Sequence, residues 1–238
     1  CQRDLLKALL ATGKPVVMVL FTGRPLAIPW EAAHVPAILN VWFPGTEGGH
    51  AIADVLFGAV NPSGKLSATW PQNVGQVPLF YNHKNTGRPL APGSWFQKFR
   101  SNYLDVPNEP LFPFGYGLSY STFTYGDPKL SAEQLSGNAT LTLSVDLTNS
   151  GPADGAEVVQ LYIRDLVGSV TRPVKELKGF QKVFLKAGET RTITFTVTPE
   201  ELKFYNSGLV YDWEPGDFDL MVGGNSDAVK TARVNWTK

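Results

Sequence analysis

Glu47 and Asp54 are the first residues whose types and spacing point to chemistry: two carboxylates seven positions apart on one helix are placed for acid and base work. The plainer reading gives Glu47 to the positive end of the helix dipole and Asp54 to an exposed face, and that reading is preferred. Gly48 and Gly49 at the same helix start would let a ligand or another backbone come close, and tight packing accounts for them equally well. His34, His50 and His83 lack metal-ligand spacing, and the single cysteine, Cys1, excludes both an internal disulfide and a multi-cysteine metal site. No metal and no cofactor is expected. Gly64-Lys65 resembles the end of a phosphate loop, but Leu66 stands where that loop needs Ser or Thr. Gly117-Leu118-Ser119-Tyr120-Ser121 lacks the second glycine of a nucleophile elbow. Asn138-Ala139-Thr140 and Asn235-Trp236-Thr237 match the N-glycosylation triplet, which matters only in a eukaryotic secretory host.

These residues need elements to hold them. Hydrophobic residues make up 43% of the chain, enough for real cores. Lys plus Arg equals Asp plus Glu at 21 each, so nothing in the net charge points to nucleic acid or an anionic membrane as a partner. No stretch approaches the roughly 20 apolar residues of a membrane-spanning helix. The chain starts within a helix whose Leu5, Leu6, Leu9 and Leu10 share a face, with no Met, basic leader or apolar signal core; it reads as part of something longer. Val16 to Phe21 and Ala37 to Trp42 read as strands, the first of the kind buried on both faces of a parallel sheet. From Thr46 to Phe57 the period turns helical, with Ala51, Ile52, Val55 and Leu56 as the apolar stripe and Thr46 as N-cap. A turn is expected at Asn61-Pro62-Ser63-Gly64. Residues 1–76 thus read as a partial α/β layer, too small to close alone.

Residues 77–126 have little periodicity but many Pro, Gly and aromatic residues. Phe80, Tyr81, Trp95, Phe96, Phe99 and Tyr103 are too many for a solvated linker, so this stretch is expected to be ordered against a surface. Residues 127–238 alternate. Leu141, Leu143, Val145 and Leu147 interleave with polar residues, as do Ile193, Phe195 and Val197, and turn chemistry falls at Asn149-Ser150-Gly151-Pro152, Lys186-Ala187-Gly188 and Glu214-Pro215-Gly216. That pattern predicts an all-β sandwich of fibronectin type III-like kind, the absence of a Cys pair arguing against an immunoglobulin domain.

Trp42-Phe43-Pro44-Gly45-Thr46-Glu47-Gly48-Gly49-His50, running on to Gly58, resembles a signature of glycoside hydrolase family 3. Asn61-Pro62-Ser63-Gly64-Lys65-Leu66, Thr69-Trp70-Pro71, the run Leu111 to Tyr120, and Arg172-Pro173-Val174-Lys175-Glu176-Leu177-Lys178-Gly179-Phe180 are similar to that family's later landmarks, in its order. The resemblance implies a retaining β-glucosidase that cleaves O-glycosidic bonds of β-glucosides or short β-gluco-oligosaccharides, built from a barrel, an α/β sandwich domain and a fibronectin type III-like domain. Retention by this route sets two carboxyl groups about 5–5.5 Å apart. By resemblance the nucleophile Asp lies in the barrel and the acid/base Glu on a loop preceding the opening helix, so no catalytic residue is expected in this chain. The implied partners are an N-terminal barrel-bearing portion, separate or removed, a β-glucoside, and a second copy in a homodimer. The implied location is periplasmic or extracellular.

Within that frame residues 81–105 carry two open readings. In one, Trp95, Phe96 and Tyr103 offer flat faces to the C–H face of a sugar, with Arg88 and Arg100 donating to its hydroxyls, as one wall of a substrate site. In the other the stretch is a strut that packs one domain on another. For Leu111 to Tyr120 the strut reading is preferred, because Pro, Gly and aromatic residues fix a chain rigidly. The remaining alternative for the chain is a non-catalytic carbohydrate-binding or structural fragment.

Overall fold

The computed structural model describes residues 1–91 and 93–238. Helix α1 (Gln2–Leu10) forms over the leucine stripe and ends where Gly13 adopts a positive φ of 70°. Strand β1 (Val17–Leu20), helix α2 (Pro29–His34) and strand β2 (Ala37–Asn40) follow as one crossover unit, with β1 and β2 parallel and Val17 opposite Ala37. The strands are shorter than the apolar runs that predict them, and neither contains a fully buried residue. A two-stranded sheet has too few neighbours to cover both faces, so Val17 and Phe21 stay 48% and 60% exposed.

Helix α2 is absent from the sequence reading. Its six residues are too few to show a period, although Pro29 at the first helical position is a start signal. It is held by α1. Arg3 donates to both carboxylate oxygens of Glu31, at 2.8 and 3.1 Å, and the Trp30 ring lies under Arg3 and Lys7. Burial pushes the Glu31 carboxyl up, but the hydrogen bond and charge of Arg3 hold it below its ordinary value.

Helix α3 (Gly48–Leu56) starts two residues later than its predicted cap. Glu47, not Thr46, is the N-cap residue, and no side chain caps it; Glu47 pairs instead with His50 at 2.8 Å. Gly48 starts the helix because a Cβ there would stand 2.6 Å from the Pro44 ring. The turn expected at Asn61 to Gly64 is also displaced. The reversal sits at Phe57 to Val60, where Gly58 takes φ 79°, and the chain beyond it runs without a turn.

The alternating half folds as expected into two packed sheets. Its strands are β3 (Phe123–Tyr125), β4 (Lys129–Leu130), β5 (Gln134–Ser136), β6 (Leu141–Asn149), β7 (Gly155–Asp165), β8 (Glu176–Leu185) and β9 (Thr190–Val197), then, after helix α4 (Pro199–Leu202), β10 (Phe204–Tyr205), β11 (Tyr211–Asp212), β12 (Gly216–Gly223) and β13 (Val229–Thr237). One sheet has the order β5-β13-β12-β7-β8; in the other, β3 and β4 pair with β6, as does β9. Leu141, Leu143, Val145 and Leu147 of β6 meet Val159, Leu161 and Ile163 of β7 and Trp213 and Trp236 in a single core. Each such aliphatic side chain contributes roughly 1.5–3 kcal/mol on leaving water. The chain is therefore an α/β partial layer followed by a fibronectin type III-like sandwich. No helix among the described residues is long and apolar enough to cross a membrane.

Asn149, fully buried where β6 ends, ties this corner. Its amide donates to the carbonyls of Ala153 and Leu185 and accepts from Ser121 Oγ and Gly151 N. Asn149→Ala strips four polar neighbours of their partner and should cost about 2–3 kcal/mol in urea unfolding. A loss below half a kilocalorie per mole would mean that the corner is held by its backbone alone.

Candidate functional site

The stretch between the layer and the sandwich closes at its base like a strap. Leu66 N donates to Tyr116 O and Gly115 N to Leu66 O, both at 2.8 Å, while Trp70 N reaches Phe112 O at 2.9 Å. Gln76, 1% exposed, fills the base: its amide donates to the carbonyls of Pro107 and Glu109 and accepts from the backbone N–H of Gln72 and Asn73. A buried amide satisfied on both ends is a rigid fixture.

Both limbs of the strap lie on the sandwich. The Tyr81 ring stacks on Phe114 at 4.4 Å and meets Tyr162 edge-on at 5.6 Å, and its hydroxyl accepts from Leu177 N. Beneath Phe114, Gly115 takes φ 78° directly over Gln160, whose amide donates to Gly115 O and Gly224 O and accepts from the Tyr162 hydroxyl. Burial pushes the Tyr162 phenol well above its usual range, which keeps it neutral and a donor. Phe114 and Gly115 are thus packed on the sandwich, while Leu118 stays 73% exposed.

A second tie joins the α/β layer to the sandwich. Lys65 Nζ lies 2.9 Å from Glu157 and donates to Gly117 O, and the Tyr125 hydroxyl donates to the same carboxylate at 3.1 Å. Burial first, then the charge of Glu157, pushes the Tyr125 phenol far up. Asn61 completes the joint by donating to Asp154 O and accepting from Ser119 Oγ and Tyr120 N.

Between these anchors the strap projects into solvent. Trp95 and Phe96 are 54% and 51% exposed, and Arg88 and Arg100 are exposed too. Ser101 N donates to Arg88 O at 2.9 Å, which brings the backbones carrying the two arginines side by side. Tyr103 differs from the other four. It is half-buried, and its hydroxyl donates to Gln76 O at 3.2 Å. Glu47 and Asp54 are both exposed on α3, where Glu47 is engaged with His50. Among the described residues, no cluster of His, Cys, Asp and Glu is assembled that could hold a metal ion.

The sequence reading missed Lys65, Gln76, Glu157 and Gln160. One signal was available: Val158-Val159-Gln160-Leu161-Tyr162-Ile163 does not alternate with solvent-seeking residues, as a strand covered on both faces does not. The partners across the strap, 31 to 92 positions away, had no such signal.

Comparison with known proteins follows the same division. Residues 1–120 match the family described as glycosyl hydrolase family 3 C-terminal domain, and residues 157–226 match the fibronectin type III-like domain. The chain is 53% identical to a periplasmic beta-glucosidase of Salmonella typhimurium, over 96% of this chain and 30% of that protein. It is 45% identical to a beta-xylosidase of Formosa agariphila, over 99% of this chain and 32% of that protein. Among solved structures, a beta-glucosidase from Listeria innocua in complex with gluconolactone matches with a TM-score of 0.95 and 46% identity, covering all of this chain and 33% of that one. The chain thus spans about a third of the length of these relatives.

Proposed function

The chain belongs to glycosyl hydrolase family 3, and we propose from that premise that it serves a retaining β-glucosidase as the wall and support of an active site whose catalytic carboxylates lie outside these 238 residues. The observation that carries the proposal is the match, over the whole chain, to a beta-glucosidase from Listeria innocua. In this reading the nucleophile Asp and the acid/base Glu come from a barrel-bearing portion. The uncovered apolar surface of the α/β layer supports it: Leu5, Leu9, Val17, Phe21, Phe43 and Phe57 are 43–88% exposed, a surface that would pack on further α/β structure. The proposed units are 1–76, 77–126 and 127–238. An extracytoplasmic site of action is proposed from the name of the Salmonella relative.

The substrate is a β-glucoside or a short β-gluco-oligosaccharide, bound with its leaving-group side toward Arg88, Trp95, Phe96, Arg100 and Tyr103. The rigid base of the strap supports such a wall, because a sugar-stacking ring helps only if it is held in place before the ligand arrives. The test is hydrolysis of p-nitrophenyl β-glucoside and β-xyloside by this chain alone and by the chain joined to its barrel-bearing portion. Activity confined to the joined form, faster on the glucoside and giving the β-anomer first by NMR, is expected. Full activity of the 238 residues alone would end the proposal.

Trp95→Ala in the joined enzyme should raise KM about threefold to tenfold for cellotriose while leaving that for p-nitrophenyl glucoside nearly unchanged, since one lost aromatic contact is worth roughly 0.5–1.5 kcal/mol. Equal KM values for wild type and variant at every substrate length would favour a purely structural strap.

A further inference from the structure

The exposed part of the strap is charged as well as aromatic. Residues 82–103 hold Lys84, Arg88, Lys98 and Arg100 and not one Asp or Glu, in a chain whose formal charge is zero. All four cations are exposed, and among the described residues none makes an ion pair. Elsewhere several cations are paired, Lys65 with Glu157, Arg172 with Glu176, Lys230 with Asp127, Arg233 with Asp219 and Lys238 with Asp212, while others, Lys14, Arg24 and Lys129 among them, make no ion pair among the described residues. Two acids, Asp105 and Glu109, follow the stretch closely. Glu109 reaches back to it, accepting from Gly93 N at 3.2 Å, and Asp105 is exposed and makes no ion pair among the described residues.

The backbone brings Arg88 near Lys98 and Arg100, while Lys84 is bridged to Pro173 on the sandwich. The bridge between Pro89 and Ser101 sets Arg88 and Arg100 on neighbouring stretches. Lys98 Nζ lies 5.0 Å from the Phe99 ring centre. Phe99 itself is 72% exposed and takes a positive φ of 66°, a conformation that costs a non-glycine residue about 1 kcal/mol or more and that is concentrated at functional sites. Recognition of neutral hydroxyls does not need three exposed cations, Arg88, Lys98 and Arg100, that make no ion pair among the described residues. A carboxylate does use them: the guanidinium fork binds it through two parallel N–H···O bonds, while a ring takes the flat body that carries it.

We propose that the strap's exposed tip binds a carboxylate on the leaving-group side of the substrate, so that the enzyme prefers β-glucosides with an anionic aglycone. The inference rests on the hydrolase reading above and names the substrate class of the same surface. The carboxylate belongs either to an aryl group or to a uronic acid, and two substrate pairs separate these sources. One pair is 4-carboxyphenyl β-glucoside and its methyl ester; the other is glucose β-linked to glucuronic acid and glucose β-linked to glucose.

The experiment measures kcat/KM for all four substrates in the full-length enzyme that contains this chain, in wild type and in Arg88→Gln/Arg100→Gln, at low and at high salt. The acid-to-neutral ratio should fall about tenfold in the double variant for at least one pair, and about threefold in the wild type when salt is raised, as two exposed charge contacts dictate. The neutral substrates should change less. A ratio untouched by both the substitutions and the salt, with the neutral glucosides still hydrolysed, overturns the anion preference and leaves the hydrolase reading standing. Failure of the wild-type enzyme to hydrolyse any of the four brings down both.

Discussion

Gly115→Ala should destabilise the chain by about 3–5 kcal/mol. The reason is local. Gly115 takes φ 78°, which an alanine adopts only under strain, and its Cβ would stand 2.0 Å from Gln160 Oε1. Gln160 cannot retreat, because its amide already serves Gly115 O, Gly224 O and the Tyr162 hydroxyl in a site 2% exposed. The methyl therefore either displaces that amide, orphaning buried partners, or lifts the strap off the outer face of β7. Gly137→Ala is the control: φ is 57° there, but nothing lies within 4 Å of the added atom, so only the backbone cost of about 1 kcal/mol applies. Equilibrium urea unfolding of both variants checks this. Equal midpoints for the two would show that the strap does not rest on Gln160.

Glu157→Ala is expected to be nearly as damaging, at about 3–5 kcal/mol, because it leaves the Lys65 ammonium buried without its counter-charge. The Lys65 and Glu157 side chains are only 14% and 6% exposed, so water is a poor replacement for the lost partner. The Tyr125 hydroxyl would lose its acceptor at the same time. The combined variant Lys65→Met, Glu157→Leu, Tyr125→Phe removes all three polar groups together and should recover most of the loss, since a buried ion pair replaced by apolar groups of similar volume is often neutral. A single variant costing under about 1 kcal/mol would place this pair among surface ion pairs and sink the idea of a buried joint.

Both variants act at contacts that a single sequence does not advertise. The sandwich was legible because its evidence is local: a strand with one face in a core alternates, and Leu141 to Leu147 and Ile193 to Val197 do so without exception. The parallel strands were legible in type but not in burial, because apolar composition predicts a covered strand while the two-stranded sheet leaves its faces open. Helix α2 was not placed because six residues show no period, and what holds it is Arg3, a residue of another helix, gripping Glu31.

The candidate site divides along the same line. The residue types were readable: rings and arginines crowded between Arg88 and Tyr103, and no metal-ligand spacing anywhere in the chain. What they do depends on exposure, which is a property of the assembled chain. Tyr81 and Trp95 look alike as letters, yet one is locked between Phe114 and Tyr162 while the other stands 54% exposed. The sequence by itself determined where the long alternating strands of the sandwich lie and which family these motifs belong to, because periodicity and short-range spacing are written in consecutive residues. Only the tertiary structure decided which parts of the strap are anchored and which are presented. That choice is made by partners 45 to 96 positions away, such as Gln160 beneath Gly115 and Leu177 behind Tyr81, and chain folding alone brings them into contact.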